Sequence, residues 1–179
     1  MGKVVVTMFY SLDGVMEEPA WTFPYWNDEI AAFKGSEFEA LDAHLLGRVT
    51  YEAFAEAWPP REGEPGADTM NNMPKHVATT TLKNLEWNNS HILEGDLTEA
   101  VNKLKAQSEG DILVAGSATL VNSLLERNLV DEIRLLVYPV VLGKGKRLFT
   151  SDAKLRLIET KAFGSGVVML RYVLDVSEE

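Results

Sequence analysis

Apolar and polar residues follow two different periods along this chain, and the two periods alternate. Uninterrupted apolar runs begin at Val4 and Ile112, as expected for strands buried on both faces of a parallel sheet, and a short strand is predicted from Ala43 to Leu46. Between them lie stretches with apolar residues at helical spacing, for example over residues 118–127. Strands that alternate with helices predict an α/β protein with three α/β/α layers and a mostly parallel sheet.

The same pattern sets the expected boundaries of each element. It predicts strands over 3–9, 43–46, 75–79, 91–93, 112–115 and 132–138, and a C-terminal antiparallel hairpin of strands 155–163 and 167–176. It predicts helices that start at Asn27, run from Gly47 to Phe54, start at Asp96 or Thr98, and cover 118–127. Residues 58–74, rich in Pro and Gly, are expected to form a surface loop or mobile flap.

Length, charge and composition exclude several classes of protein. A chain of 179 residues, 46% of them hydrophobic, fits one domain over residues 1–179 with a substantial core. A formal charge of −10 argues against a broad nucleic-acid or anionic membrane surface. The chain has no cysteine for disulfides or thiolate chemistry, and its first residues do not read as a signal peptide, so a cytoplasmic protein is expected. No stretch reaches the roughly 18 apolar residues of a membrane span.

Three strands are each predicted to end in residues suited to phosphate. These residues are Gly47, Arg48, Val49 and Thr50; Thr79, Thr80 and Thr81; and Gly116, Ser117, Ala118, Thr119 and Leu120. Helix N-terminal amides, a guanidinium and several hydroxyls on one sheet edge favour a ligand with more than one phosphate, such as a dinucleotide. The alternative is that both glycines only make tight turns and the arginine is solvated.

No standard phosphate or metal motif accompanies these junctions. The chain has no Gly-x-Gly-x-x-Gly, and residues 143–147 lack both the spacing and the Ser/Thr of a P-loop. His44, His76 and His91 stand apart without metal-ligand spacing, so no metal is predicted.

Candidates for acid–base chemistry and substrate binding lie near the same predicted edge. Asp13 follows the first strand and is the main candidate for both roles, although it also fits a turn aspartate that accepts backbone hydrogen bonds. Glu29 is a second catalytic candidate, although the first turn of a helix favours an acidic residue in any case. Trp21, Tyr25 and Trp26 belong to an aromatic loop that predicts either a lid on a planar substrate or an oligomer interface.

The same residues carry a resemblance to a known family that covers nearly the whole chain. The matching stretches are Ser11-Leu12-Asp13-Gly14, Leu45-Leu46-Gly47-Arg48-Val49-Thr50-Tyr51-Glu52, Lys75-His76-Val77 with Thr79 to Leu82, Trp87-Asn88-Asn89, Val114-Ala115-Gly116-Ser117, and Leu129-Val130-Asp131-Glu132 leading to Pro139-Val140-Val141-Leu142-Gly143. In these stretches the chain resembles the dihydrofolate-reductase-like superfamily. It is most similar there to the reductase domain of the bifunctional riboflavin-biosynthesis deaminase–reductase.

The resemblance implies a mixed, mostly parallel sheet, a homodimer, and NADPH bound along the strand ends. It implies that residues 47–50 serve the adenosine-side phosphates, 79–81 the adenosine ribose and its 2′-phosphate, and 116–120 the pyrophosphate and nicotinamide. Asp13 would lie at the substrate end. Relatives often carry a basic pair where this chain has Thr79 and Thr80, so a preference for NADPH over NADH rests on Arg48, and NADH stays an alternative.

The sequence therefore predicts a reductase that transfers hydride from NAD(P)H to a small substrate, riboflavin-pathway-like or pterin-like. The deaminase domain and its zinc-binding residues are missing from this chain, so the substrate is left open. The alternatives are a nucleotide-binding sensor or interaction module on the same fold without turnover, and a purely structural dimer.

Overall fold

The computed structural model describes residues 1–175, which form eight strands and five α-helices. The strands are Val4–Ser11 (β1), Leu41–Gly47 (β2), Lys75–Ala78 (β3), Ser90–Ile92 (β4), Asp111–Val114 (β5), Glu132–Tyr138 (β6), Leu155–Ala162 (β7) and Val168–Leu174 (β8). The helices are Asp28–Glu39 (α1), Arg48–Ala57 (α2), Ala67–Asn72 (α3), Leu97–Gln107 (α4) and Ala118–Glu126 (α5). Val176, predicted to end the last strand, lies outside the described residues.

The strands form one sheet in the order β4-β3-β2-β5-β1-β6-β8-β7. The pairs from β4 through to β6 are parallel, whereas β8 pairs antiparallel with both β6 and β7. The predicted α/β class, with an antiparallel hairpin at the end of a mostly parallel sheet, is therefore confirmed.

Helices cover the sheet on both faces. Leu45 of β2 packs with Val101 of α4 and Val121 of α5 in one apolar cluster. Leu46, the next residue, packs with Tyr51 of α2 and Met70 of α3 in another. Because neighbouring residues of a strand point to opposite faces, α4 and α5 lie on one side and α2 and α3 on the other. A third cluster joins Ile30 of α1 to Leu136 of β6 on the second side.

The predicted helix starts are confirmed by their capping contacts. Asn27 Oδ1 accepts a hydrogen bond from Ile30 N at 3.0 Å. Asp96, rather than Thr98, caps α4, because its carboxylate accepts from Thr98 N and Glu99 N. Such caps satisfy amides that have no partner inside the helix, which is why a local sequence pattern identifies them.

The predicted loop over residues 58–74 is wrong at its end, where α3 forms. This six-residue helix is too short to show a period, and a buried lysine just after it holds its end. Lys75 Nζ, fully buried, donates to the carbonyl oxygens of Asn71, Met73 and Asn88 at 2.8–3.0 Å and lies 4.2 Å from the centre of the Trp87 ring. The ammonium thereby satisfies carbonyl groups at the end of α3 that the helix leaves unpaired.

Candidate active site

The three predicted phosphate junctions lie side by side at one edge of the sheet. β3, β2 and β5 are neighbours, and they run parallel, so their carboxyl ends meet at the same edge. β1 and then β6 come next to β5 in the sheet and run parallel to it. The segments after Ser11 and Tyr138 therefore lie beside the three junctions. The expectation of a shared edge is confirmed, and this edge is the usual ligand position in open α/β sheets.

The two glycine junctions touch each other. Gly47 N donates to Gly116 O at 3.1 Å, and a Cβ added at Gly47 would collide with Ser117 Oγ. Gly116 has a φ of +127°, and a Cβ there would stand 2.5 Å from Thr50 Oγ1. Both positions require glycine because the start of α2 and the turn before α5 pack with no room for a side chain.

Helix N-termini from α2 and α5 both reach this edge. Gly47 precedes α2 and offers no side-chain cap, so amides of the first turn are left for another partner. Ser117 caps α5 by accepting from Leu120 N at 3.3 Å. The side chains of Ala118 and Leu120 are buried in the core, whereas Thr119 is exposed. These two termini give the edge a positive electrostatic character suited to phosphate.

The polar side chains at this edge are exposed, and some have partners already. Arg48 Nη1 donates to Glu52 Oε2 at 3.0 Å, and both side chains are 47% exposed. Val49 points outward. Thr79 Oγ1 accepts from Thr81 N at 3.2 Å, which shapes the turn after β3 and presents the exposed side chains of Thr80 and Thr81. The predicted strand is one residue too long, since β3 ends at Ala78.

Asp13 lies at the edge as predicted, but its carboxylate is already engaged. It accepts from Ser11 Oγ at 2.7 Å, from Leu142 N at 3.1 Å and from Gly143 N at 2.8 Å. The Ser11 hydrogen bond, followed by the two amides, lowers the pKa of Asp13 to about 2. A carboxylate held in this way favours the turn-aspartate interpretation over proton donation, and its catalytic role stays a prediction.

Glu29 also binds the protein itself. Its Oε1 accepts from Gly164 N at 2.9 Å, which ties the first turn of α1 to the turn between β7 and β8. The side chain is exposed in the helix. This contact accounts for Glu29 without a catalytic role, which likewise stays a prediction.

The aromatic loop forms a 3-10 segment over Pro19–Tyr25 that packs on the end of β6. The ring centres of Trp21 and Tyr25 lie 5.5 Å and 6.0 Å from that of Tyr138, and the rings meet edge-on. Trp26 meets Phe9 in the same manner at 6.4 Å and is 47% exposed. The three predicted substrate-binding aromatics thus lie at the carboxyl ends of β1 and β6.

Sequence reasoning missed two residues of this edge. The pattern predicts Tyr138 only as the last residue of a strand, whereas in the structure it lies opposite Ser11, where β1 and β6 both end. Arg147 donates to Asp13 O and lies beside the Tyr10 hydroxyl. A basic residue in a Gly-rich stretch after a strand was the available signal, and its partner is 134 residues away.

Among residues 1–175, no group of three or more His, Asp or Glu is placed to hold a metal ion. No helix in that range is long and apolar enough to cross a bilayer.

Comparison with known proteins gives the family. The model of the RibD C-terminal domain matches residues 2–169. The chain belongs to this family. The uncharacterized protein YyaP of Bacillus subtilis (strain 168) is 33% identical over 183 aligned residues, covering 95% of this chain and 94% of YyaP. Membership of the RibD C-terminal domain family supports a reductase-like function, and RibD-like reductases in general depend on pyridine nucleotides.

Solved structures show the same fold. A Shewanella sp. PV-4 protein, provisionally assigned to riboflavin biosynthesis, has a TM-score of 0.79 at 19% identity, with 98% of this chain and 99% of that chain covered. The riboflavin biosynthesis reductase Rib7 of Saccharomyces cerevisiae has a TM-score of 0.63 at 16% identity, with 97% and 90% covered. At these identities the likeness concerns the fold alone.

Proposed function

We propose that this RibD C-terminal domain protein is an NAD(P)H-dependent reductase that transfers hydride to a small substrate. The observation that carries the proposal is the contact between the 47–50 and 116–120 junctions, with 79–81 on the next strand. Three such segments on neighbouring strand ends match the length of a dinucleotide better than that of a single phosphate.

The residues present fit such a cofactor. The amides at the start of α2 and the exposed Arg48 suit the adenosine-side phosphates, and Thr80 and Thr81 suit the adenosine ribose. The start of α5 suits the pyrophosphate, and a dinucleotide held there would have its nicotinamide end on the side of β1, the strand next to β5. When bound, the cofactor supplies the hydride, and the protein supplies binding, orientation and exclusion of water.

A fluorescence titration tests the proposal, because Trp21 and Trp26 lie at the same edge as the junctions. Purified protein is titrated with NADPH and NADH in parallel, and then incubated with NADPH and a panel of carbonyl, pterin and flavin compounds. We expect saturable binding with a preference for NADPH, and oxidation of NADPH with at least one compound. Binding of neither nucleotide by folded protein would contradict the proposal.

The second candidate, a nucleotide-binding sensor without turnover, is favoured by the engaged carboxylates of Asp13 and Glu29. Nucleotide binding without NADPH oxidation across the panel would support it.

We also propose a homodimer, which light scattering on the size-exclusion peak tests directly.

A further inference from the structure

Tyr138 ends β6 with a buried hydroxyl that has no hydrogen-bond partner among the described residues. The residue is 0% exposed, and burial raises the pKa of its hydroxyl to about 12, so the group keeps its proton as a donor. Proteins rarely leave a buried polar atom unpaired, and such an atom calls for an explanation. Tyr51 gives the contrast, since its buried hydroxyl accepts from Trp87 N at 3.1 Å.

Aromatic rings from β1 and from the segment after it surround Tyr138. Phe9 of β1 meets it from beside, at 5.8 Å between ring centres. Trp21 and Tyr25 meet it from the segment 19–26, which we call the aromatic cap. These rings offer the Tyr138 hydroxyl no strong hydrogen-bond acceptor. They are well suited, however, to pack against another flat molecule.

The aromatic cap is attached to the sheet by packing. The hydrogen bonds of the cap are local: Trp21 Nε1 donates to Glu17 O, Thr22 Oγ1 to Pro19 O, and Trp26 N to Phe23 O. Within the described residues, the cap makes no hydrogen bond to β1 or β6. It can therefore lift from Tyr138 by giving up ring contacts, without breaking a backbone hydrogen bond to the sheet.

An apolar rim surrounds the same strand ends. Phe23 and Trp26 of the cap are 71% and 47% exposed, and Leu12 and Val141, which follow β1 and β6, are 64% and 68% exposed. Leu12 N donates to Val140 O, so the two loops lie against each other. Large apolar side chains exposed together, rather than singly, mark a binding surface.

The position suits a hydride acceptor, and this step rests on the proposed function. β6 is two strands from β5, and Tyr138 pairs with Ser11 on the strand between them. Two strand spacings amount to about 10 Å. Tyr138 points to the face of the sheet that carries α1, opposite to α5, so a flat ring that reaches it must extend across the strand ends and toward that face.

We infer that the aromatic cap is a lid over a ring-binding subsite, in which the Tyr138 hydroxyl donates a hydrogen bond to a carbonyl oxygen of a flat heteroaromatic acceptor. Hydride from C4 of the nicotinamide forms a C–H bond at an electrophilic ring carbon, and a proton from water completes the reduction. The nicotinamide is oxidised by two electrons and the acceptor is reduced by two. Tyr138 keeps its proton and determines which acceptor fits.

The substitution Tyr138→Phe tests the hydroxyl without changing the ring, and Tyr51→Phe is the matched control. We expect Tyr138→Phe to unfold at the same temperature as the wild type or a higher one, because an unpaired polar atom is removed. Tyr51→Phe should unfold at a lower temperature, since it leaves Trp87 N without its acceptor. A drop for Tyr138→Phe as large as that for Tyr51→Phe would overturn the inference by showing a structural partner.

Calorimetric titration with lumazine, a bicyclic dione, tests the subsite itself. We expect wild-type protein to bind lumazine and Tyr138→Phe to bind it about tenfold more weakly, the scale of one hydrogen bond. NADPH binding should be equal in both. Equal lumazine affinity in the two proteins, or no binding by the wild type, would overturn the inference. Lumazine binding that depends on Tyr138 in a protein that binds no NADPH would support the subsite and contradict the proposed function instead.

Discussion

Arg48 is the residue on which the proposed choice between two nucleotides rests. Its guanidinium is exposed and held by Glu52, one turn along α2, so it can turn toward a phosphate at the edge. We predict that Arg48→Ala weakens binding of NADPH more than that of NADH by about 1–3 kcal/mol, the scale of a charge-assisted hydrogen bond. Parallel fluorescence titrations measure the difference.

The control for this prediction is Arg127→Ala at the end of α5. Arg127 is exposed and bonds Ser123 O, away from the strand ends. The Arg127→Ala variant should bind NADPH and NADH with the same affinities as the wild type. Equal weakening of the two nucleotides by Arg48→Ala would remove the 2′-phosphate role.

The buried residue His44 is expected to make the stability of the protein depend on pH. Burial, followed by the charges of Lys75 and Lys34, lowers the pKa of His44 from 6.5 to about 3. As pH falls below 6.5 the unfolded chain binds a proton that the folded chain does not, so stability falls between pH 6.5 and pH 3. The full effect is on the order of 5 kcal/mol.

We therefore predict that His44→Gln has a flatter urea stability profile than the wild type between pH 6.5 and pH 4. His91→Gln, at an exposed histidine of β4, should keep the wild-type slope. If both variants follow the wild-type slope, His44 does not account for the acid sensitivity.

At the scale of elements, two loops at the carboxyl edge are clasped together. Asp13 accepts from the amides of Leu142 and Gly143, and Glu17 Oε2 accepts from Lys146 N at 2.9 Å. Leu148 N donates back to Gly14 O. The segment after β1 and the segment after β6 thus form one unit beside the aromatic cap.

We predict that Asp13→Ala loosens the contact between these two loops while the sheet stays folded. Amide hydrogen exchange at Leu142 and Gly143 should become faster because both amides lose their acceptor. Asp152→Ala, at an exposed aspartate, is the control. Unchanged exchange at both amides would show that the loops are held by other contacts.

Once a substrate is known, we expect Asp13→Asn to spare nucleotide binding and lower turnover.

For the whole molecule, a buried ionic network joins the parallel sheet to the C-terminal hairpin. Arg134 of β6 contacts Glu132 at 2.6 Å, Asp111 of β5 at 3.2 Å and Glu37 of α1 at 3.4 Å. Arg171 of β8 contacts the same Glu132 at 2.6 Å. Glu37 is 1% exposed and also binds Lys34, so in the folded protein these cations, rather than water, compensate its charge.

We predict that Arg134→Met lowers the free energy of unfolding by about 3–5 kcal/mol, because it leaves buried carboxylates with fewer partners. Arg156→Met on the exposed edge strand β7 should change it by less than about 1 kcal/mol. Urea unfolding measures both. Similar small losses in the two variants would mean that the remaining cations suffice.

The sequence alone determined what depends on near neighbours. The apolar runs of β5 and β6 and the caps at Asn27, Asp96 and Ser117 involve residues at most a few positions apart, so they are visible in the printed order. The fold class and the three strand-end junctions follow from the same local signals.

Only the tertiary structure decided which groups meet. Asp13 finds its two amide partners about 130 residues away, and Glu29 finds Gly164 at a separation of 135, so the sequence could name these carboxylates as candidates but could not show them engaged. Lys75 and Tyr138 read locally as strand residues, and only the packed structure shows that the buried ammonium of Lys75 has three carbonyl partners whereas the buried hydroxyl of Tyr138 has none among the described residues. The physical reason is that burial and hydrogen-bond partners are properties of the packed chain, whereas periodicity and capping are properties of a short segment.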